Sequence, residues 1–228
     1  MTTKAKKKTY VIASVDDGDR LDMAVADMFL KYRIPAVFYI APEYSDLSDT
    51  QVKRLAGIGP KGCSLCKQMG ELFEIGAHTM THPRDLKELS DDEVRAEVLC
   101  SKEYLEKITS KPVTKFCYPR GKYDDRIKRI VKECGFEEAR TVKIFNTDFP
   151  KDPFETHASI HIHPARAEYG DRSWMEYGHE LLEKVLKKGG RFEVWMHGWE
   201  IDKFNHWEFV DDFLWHMRDQ MDEYNYKT

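Results

Sequence analysis

The sequence predicts an α/β fold built on a parallel sheet, on two observations. Residues 10–15 and 36–40 are short apolar runs typical of buried strands, and between them apolar side chains recur at helical spacing over residues 21–29. Strand, helix and strand in this order form a βαβ unit, which implies parallel strands joined by a right-handed crossover. The 228 residues suit one sizeable domain with a continuous core.

The first strand ends in Asp16, Asp17 and Gly18, where parallel α/β folds place their chemistry. Neighbouring residues on a strand point to opposite sides, so one carboxylate can bind a cation while the other handles a proton. Gly18 permits the turn. The alternative is an ordinary loop that ends a strand.

Residues 41–70 are rich in Gly, Pro, Ser and Asp, which predicts a long connection with one short helix near residues 51–56. This stretch contains Cys63 and Cys66 in a C-x-x-C pattern. A single pair supplies only half of a structural zinc site, and the odd total of five cysteines argues against a disulfide framework. We therefore expect free thiols.

The next strand, residues 72–77, runs into His78 and His82, and Pro83 disfavours a helix there. Two imidazoles and one carboxylate form a site that suits zinc or a similar divalent ion and leaves positions open for water and substrate. Thr79 stands where a zinc protease motif needs its glutamate. The alternative is a pair of polar histidines in a surface loop.

The remaining pattern continues the alternation. Ser90 and Glu93 form a capping box before a helical stripe over residues 94–108. Further strands are predicted at residues 113–118, 138–144, 159–163 and 192–196, and further helices at 124–134, 174–188 and 206–224.

The strand at 192–196 ends in His197. Three strand ends thus present Asp16 with Asp17, His78 with His82, and His197. Polar groups scattered over strand ends in this way are typical of a barrel-type active site. The alternative for His197 is a hydrogen bond that merely satisfies the strand end.

These motifs resemble those of the polysaccharide deacetylase family, which is also called NodB-like or carbohydrate esterase family 4. Residues 14–18 resemble its Thr-Phe-Asp-Asp-Gly motif, residues 76–83 match its metal-binding histidine motif, and residues 194–197 resemble its Leu-x-x-His motif. The resemblance covers the chain from residue 10 to about residue 224. It implies a single distorted (β/α) barrel of about seven parallel strands, preceded by a tail of residues 1–9 and occupying residues 10–228.

The resemblance also implies residue roles. Asp17, His78 and His82 would bind a divalent metal ion, for which zinc is the first expectation, while Asp16 would be the general base and His197 the general acid. Tyr118, Pro119 and Arg120 would contribute to oxyanion or substrate binding, the last through its backbone N–H. The best candidates for an aromatic surface facing a sugar are Tyr118, Trp195 and Trp199, and the alternative for each ring is packing.

Two departures from the family pattern affect the site. Cys117 stands where the third motif has an arginine that orients the base, and Arg120 replaces a tyrosine of the same motif. The fourth motif is not recognisable, and His157, His161 and His163 lie in that region. These histidines are either substrate contacts or ordinary surface and core residues.

Composition narrows the partners. The net charge of −4 and the pI near 6.2 give no electrostatic signature of nucleic-acid binding. Lys4, Lys6, Lys7 and Lys8 are interpreted as a solvated tail. No apolar run approaches the ~20 residues of a membrane span or forms a secretion signal, so the chain is expected to be cytoplasmic. The pattern leaves the oligomeric state open.

The sequence therefore predicts metal-dependent hydrolysis of an N-acetyl or O-acetyl group on a carbohydrate, with release of acetate. One alternative is hydrolysis of a small non-sugar amide, such as a ureide or cyclic imide, on the same fold. The other is a barrel of weak activity that mainly binds carbohydrate, motivated by the missing arginine.

Overall fold

The protein is described by a computed structural model over residues 8–224 and 226. Seven strands in this part of the chain form one parallel sheet with the order β5-β4-β3-β2-β1-β7-β6. The strands are β1 (Thr9–Asp17), β2 (Ala36–Ile40), β3 (Phe73–Ala77), β4 (Lys115–Cys117), β5 (Glu138–Arg140), β6 (Ile160–His161) and β7 (Gly190–Met196). All six pairings between neighbouring strands are parallel, as βαβ connections require.

The sheet curls so that its two edges approach each other through one irregular segment. Thr156 forms an isolated parallel bridge with Arg140 of β5. A few residues further on, the N–H of Ser159 donates to the carbonyl of Glu193 in β7 at 2.8 Å. The predicted distorted barrel of about seven parallel strands is confirmed.

Eight α-helices lie between and after these strands in the described part of the chain. They are α1 (Asp22–Tyr32), α2 (Asp49–Leu55), α3 (Ser64–Leu72), α4 (Asp91–Thr109), α5 (Asp125–Glu133), α6 (Trp174–Lys188), α7 (Gly198–Lys203) and α8 (Trp207–Glu223). The predicted capping box of Ser90 and Glu93 starts α4. None of the described helices is both long enough and apolar enough to cross a bilayer.

The strand pleat divides the interior into two cores. Val11, Ala13 and Val15 of β1 face the helices and belong to the main apolar core. The alternate residue Ile12 packs inside the barrel with Tyr39 and Cys117. Because successive side chains of a strand point to opposite faces, Asp16 at the C-terminal end of β1 lies on the same inner face as Ile12.

Several predicted boundaries differ from the structure. The connection after β2 contains two helices, α2 and α3, rather than one, and α7 was not predicted. The strands predicted at 113–118, 138–144 and 159–163 are shorter, because the chain leaves the sheet at the rim. Beyond β5, the backbone of Lys143 and Phe145 pairs instead with residues 158 and 159.

The prediction of free thiols at Cys63 and Cys66 is wrong, because these residues form a disulfide. Cys63 is the N-cap of α3 and its sulfur accepts from the N–H of Cys66 at 3.2 Å. The first helical turn brings their Cα atoms to 5.4 Å, within the usual range for a disulfide. Counting cysteines could not reveal this local geometry.

The predicted N-terminal tail is only partly described. Lys4, Lys6 and Lys7 lie outside the described residues, and Lys8 is exposed. Thr9, which was assigned to the tail, is the first residue of β1.

Candidate active site

Three predicted metal ligands come together at the C-terminal end of the sheet. Asp17 ends β1, His78 follows β3, and His82 lies four residues further in the same loop. The Nε2 atoms of His78 and His82 lie 3.6 and 3.5 Å from Oδ1 of Asp17. One carboxylate oxygen and two imidazole nitrogens therefore face a common point.

The surroundings orient each of these three side chains. The Nδ1 atom of His78 lies 2.8 Å from the carbonyl oxygen of Cys117, so Nδ1–H donates and Nε2 stays free. The indole N–H of Trp199 donates to Oδ2 of Asp17 at 3.1 Å. Asp17 and His82 have φ values of 82° and 55°, a backbone strain that often marks functional sites.

The donor set fits a divalent ion. Burial, together with the nearby His78, lowers the pKa of His82 to about 4, so its imidazole is neutral and can act as a ligand. Two imidazoles and one carboxylate suit zinc and similar ions, and they leave room for other ligands. These three residues are the ones that would hold the cation.

The adjacent carboxylate, Asp16, points into the barrel and pairs with Arg140. Both Asp16 oxygens accept from Nη2 of Arg140, and both side chains are almost completely buried. Burial by itself would raise the pKa of Asp16, but the guanidinium outweighs it and lowers the pKa to about 2. Asp16 is therefore an ionised, oriented carboxylate.

Arg140 is one of two residues next to the predicted catalytic groups that the sequence analysis missed. Cys117 and Arg140 are direct neighbours in the register of β4 and β5, so the arginine lies one strand away from the motif position. Its Nη2 lies 3.1 Å from the Cys117 sulfur, and its Nε lies 3.4 Å from Glu193. The sequence did contain a hint of this buried ion pair. Two strands have charged residues at alternate positions, Glu138 and Arg140 in β5 and Arg191 and Glu193 in β7, which would place those charges on one face of each strand.

His197 lies beside Asp17, directly after β7, the strand that pairs with β1. Its Nε2 is 3.9 Å from Oδ2 of Asp17, and its Nδ1 is 2.6 Å from Oε2 of Glu200. Burial would lower the pKa of His197, but its hydrogen bond to the Glu200 carboxylate and the charge of Asp16 raise the pKa to about 9. The imidazole of His197 is therefore protonated at neutral pH.

Glu200, in α7, was also missed. It accepts from Nε2 of His161 at 2.9 Å on the same oxygen that pairs with His197. His163 is farther, with Nε2 at 3.7 Å from the other oxygen, Oε1. His157 lies apart from this group, with Nδ1 2.7 Å from the hydroxyl of Thr141.

Two of the three candidate rings are buried, which agrees with the packing alternative and not with contact to a sugar. Tyr118 has no exposed surface, and its hydroxyl donates to the carbonyl of Phe154 at 3.1 Å. Trp195 is 5% exposed because its indole stacks on His161. Both residues lie near strand ends in the sequence, and this position alone does not show whether a ring is exposed or buried.

Trp199 remains available to a ligand. It is 37% exposed and lines a groove of about 420 Å³ together with Tyr44, Asp17, Asp19 and Asp46. Tyr44 is 52% exposed and stacks on His82 with ring centroids 4.7 Å apart. Pro119 is buried, whereas Arg120 is exposed with a φ of 53°, and the role of its N–H stays a prediction.

Comparison of the sequence with models of protein families gives one family match. The model described as polysaccharide deacetylase matches residues 3–139, which is more than half of the chain. Comparison with curated protein sequences returned no match.

Solved structures with this fold include both enzymes and a pseudoenzyme. A family 4 carbohydrate esterase from Streptomyces lividans, in complex with acetate, has a TM-score of 0.59 at 12% identity, over 96% of this chain and 90% of that one. The Bc1960 peptidoglycan N-acetylglucosamine deacetylase has a TM-score of 0.60 at 18% identity, over 96% and 84%. A family 4 pseudoenzyme from Bacillus anthracis has a TM-score of 0.59 at 17% identity, over 93% and 62%.

The chain thus spans about three fifths of the length of that pseudoenzyme and of a Streptococcus pyogenes deacetylase. At these identities the likeness shows the fold.

Proposed function

This chain belongs to the polysaccharide deacetylase family, and we propose that it is a metal-dependent deacetylase acting on an N-acetyl or O-acetyl group of a carbohydrate. Zinc is the ion that the donor set favours. An N-acetyl sugar is the simplest substrate, in line with the N-acetylglucosamine deacetylase that shares the fold.

One observation carries this proposal: two proton-transfer groups of opposite charge lie beside the cation donor set. Asp16, next to Asp17 in β1, is an ionised carboxylate, and His197, with Nε2 3.9 Å from Asp17, is a protonated imidazole. Amide hydrolysis needs a base that acts on water and an acid that acts on the departing nitrogen. The site offers both groups next to the residues that would hold the cation.

Each residue then has a distinct task. A divalent ion held by Asp17, His78 and His82 would supply Lewis acidity, lowering the pKa of water and polarising the acyl carbonyl. Asp16, held by Arg140, accepts the proton of the attacking water. His197 directs Nε2 toward Asp17 and donates its proton to the leaving nitrogen or oxygen.

The groove provides places for the remaining contacts. The N–H of Arg120 would donate to the developing oxyanion, a role that does not depend on the side chain. Trp199 and Tyr44 offer exposed aromatic surface beside Asp17 on which a sugar ring can stack.

Arg140 also bears on the alternatives. The missing motif arginine is the reason for the alternative of a barrel that mainly binds carbohydrate. Arg140 supplies a guanidinium to Asp16 from the next strand, so this reason no longer favours that alternative. Hydrolysis of a small non-sugar amide uses the same groups, and it is therefore included in the test.

The test measures acetate released from chito-oligosaccharides by metal-loaded protein, with ureides assayed in parallel. We expect acetate release, and we expect Asp16→Asn and His197→Ala each to reduce kcat by about 10²-fold or more with metal retained. An aryl acetate has a good leaving group, so His197→Ala should recover much of its rate on that ester while Asp16→Asn should not. Turnover of ureides alone would replace the carbohydrate proposal with the small-amide alternative.

A further inference from the structure

The side chains behind His197 form a chain of hydrogen bonds that the sequence analysis did not anticipate. Resting on the proposed function, we propose that Arg166, His161 and Glu200, here called the Glu200 relay, position the general acid His197. These residues come from the loop after β6, from β6 and from α7. This is the region in which the fourth motif is not recognisable.

Glu200 determines which nitrogen of His197 faces the metal ligands. Nδ1 of His197 lies 2.6 Å from Oε2 of Glu200, which leaves Nε2 as the nitrogen directed at Asp17. A 180° flip of the imidazole would place carbon atoms where these two nitrogens now lie. The hydrogen bond to Glu200 prevents that flip and keeps an N–H aimed at the reaction centre.

Arg166 determines the tautomer of His161. Its Nη1 lies 3.3 Å from Nδ1 of His161, and a guanidinium has donors but no acceptor. Nδ1 of a neutral His161 must therefore accept, so the ring proton is on Nε2, which donates to Glu200 at 2.9 Å. Every hydrogen bond of the relay thus has a defined direction that ends on one carboxylate oxygen.

The ring of His161 is fixed by packing as well as by hydrogen bonds. It stacks on Trp195 with ring centroids 3.7 Å apart and an interplanar angle of 14°. Glu200 is also buried, with 9% of its side chain exposed, so water does not compete freely for its oxygens. A buried carboxylate held by two N–H groups keeps its position more strictly than a solvated one.

The same atoms of His161, His197 and Glu200 are close enough to hold a second divalent ion. Two observations favour the relay over such an ion. The distances of 2.6 and 2.9 Å are those of charge-assisted hydrogen bonds. The guanidinium of Arg166 adds positive charge directly behind His161, which disfavours a cation there.

The kinetic test compares three variants on an N-acetyl substrate and on an aryl acetate. His161→Phe keeps a ring on Trp195 but removes the donor to Glu200, and we expect kcat for the N-acetyl substrate to fall about 10-fold with KM unchanged. His161→Gln restores a donor and should recover part of this loss. The aryl acetate should change less than about threefold in both, because its leaving group needs little protonation.

His163→Phe is the matched control, because it changes a neighbouring histidine that lies 3.7 Å from the other Glu200 oxygen. We expect its rates on both substrates to stay within about twofold of the original protein. An equal loss in His161→Phe and His163→Phe, or an equal loss on amide and ester, would overturn the relay.

A spectroscopic readout separates the relay from the proposed function. Imidazole ¹⁵N spectra of the unliganded protein should show His161 as the Nε2–H tautomer, and Arg166→Leu should shift it toward a mixture. The Nδ1–H tautomer in the original protein would refute the relay whether or not the protein releases acetate. A second bound metal ion per chain that disappears in His161→Phe would also refute it, in favour of a metal site.

Discussion

Arg140 is a fully buried cation that is paired with two buried carboxylates. The side chains of Arg140, Asp16 and Glu193 have almost no exposed surface, and the guanidinium lies over Trp195 at 4.7 Å and near Tyr39 at 5.3 Å. Removing one partner of a buried pair leaves an uncompensated charge, which typically destabilises a protein by about 3–5 kcal/mol. Arg140 thus serves the stability of the barrel as well as the orientation of Asp16.

We expect Arg140→Gln to lower the free energy of unfolding by about 3–5 kcal/mol at pH 7, because two carboxylates lose their partner. Urea unfolding of the metal-free protein measures this change. Arg20→Gln alters an exposed arginine and should stay within about 0.5 kcal/mol. Equal stability of the two variants would mean that the buried pair has no net effect.

The pH dependence of the same variant tests the cause. Arg140 lowers the pKa of Asp16 to about 2 in the folded protein, whereas an unfolded aspartate has a pKa of about 3.9. The stabilisation is therefore complete above about pH 4 and is lost as pH falls toward about 2. The stability difference between the original protein and Arg140→Gln should shrink as pH falls from about 4 toward about 2, and a constant difference over that range would contradict this assignment.

Among the structural elements, α3 is the one whose behaviour departs most from the sequence prediction. Its first turn contains the Cys63–Cys66 disulfide. Further along the helix, the Gly70 backbone packs so closely against Gly57 that a side chain at residue 57 would collide with it. The Cys63 sulfur takes the place of the usual Ser or Asp side chain at the N-cap. The cysteine pair is thus part of how this helix begins.

Thiol counting tests the disulfide. Alkylation of the unfolded protein without reductant should modify Cys100, Cys117 and Cys134, which are the free cysteines, and leave Cys63 and Cys66 unmodified. With reductant, all five cysteines should react. Mass spectrometry of peptides distinguishes the two results, and five modified cysteines without reductant would restore the original prediction of free thiols.

For the whole molecule, the proposed metal site would link two strand ends that only the folded barrel brings together. Asp17 is the last residue of β1, while His78 and His82 follow β3, and β2 lies between these two strands in the sheet. An unfolded chain cannot hold these three groups around one ion. Metal binding should therefore stabilise the entire fold through linkage.

We expect zinc at about 100 times its dissociation constant to stabilise the protein by about 2.7 kcal/mol. For a chain of this size that corresponds to a rise in Tm of roughly 2–4 °C per kcal/mol. Calorimetry with and without zinc, together with elemental analysis, measures both effects. His78→Ala should lose the bound ion and the rise in Tm, whereas the partly exposed His216→Ala should keep them; undiminished metal in His78→Ala would show that the ligands are misassigned.

The sequence by itself determined the parallel α/β architecture and the identity of Asp16, Asp17, His78, His82 and His197 as strand-end residues. These are local properties, because apolar runs, turn residues and residue type are read within a few positions. Parallel strands then place their C-terminal ends on one rim, so the residues meet without further information.

Only the tertiary structure decided which side chains surround that rim. Arg140 meets Asp16 across 124 positions of sequence, and Glu200 meets His161 across 39. Such pairs depend on strand register and on the curl of the sheet, which place Arg140 beside Cys117 and bury Tyr118 and Trp195. Register is a relation between distant segments, so no local pattern in either segment can specify it.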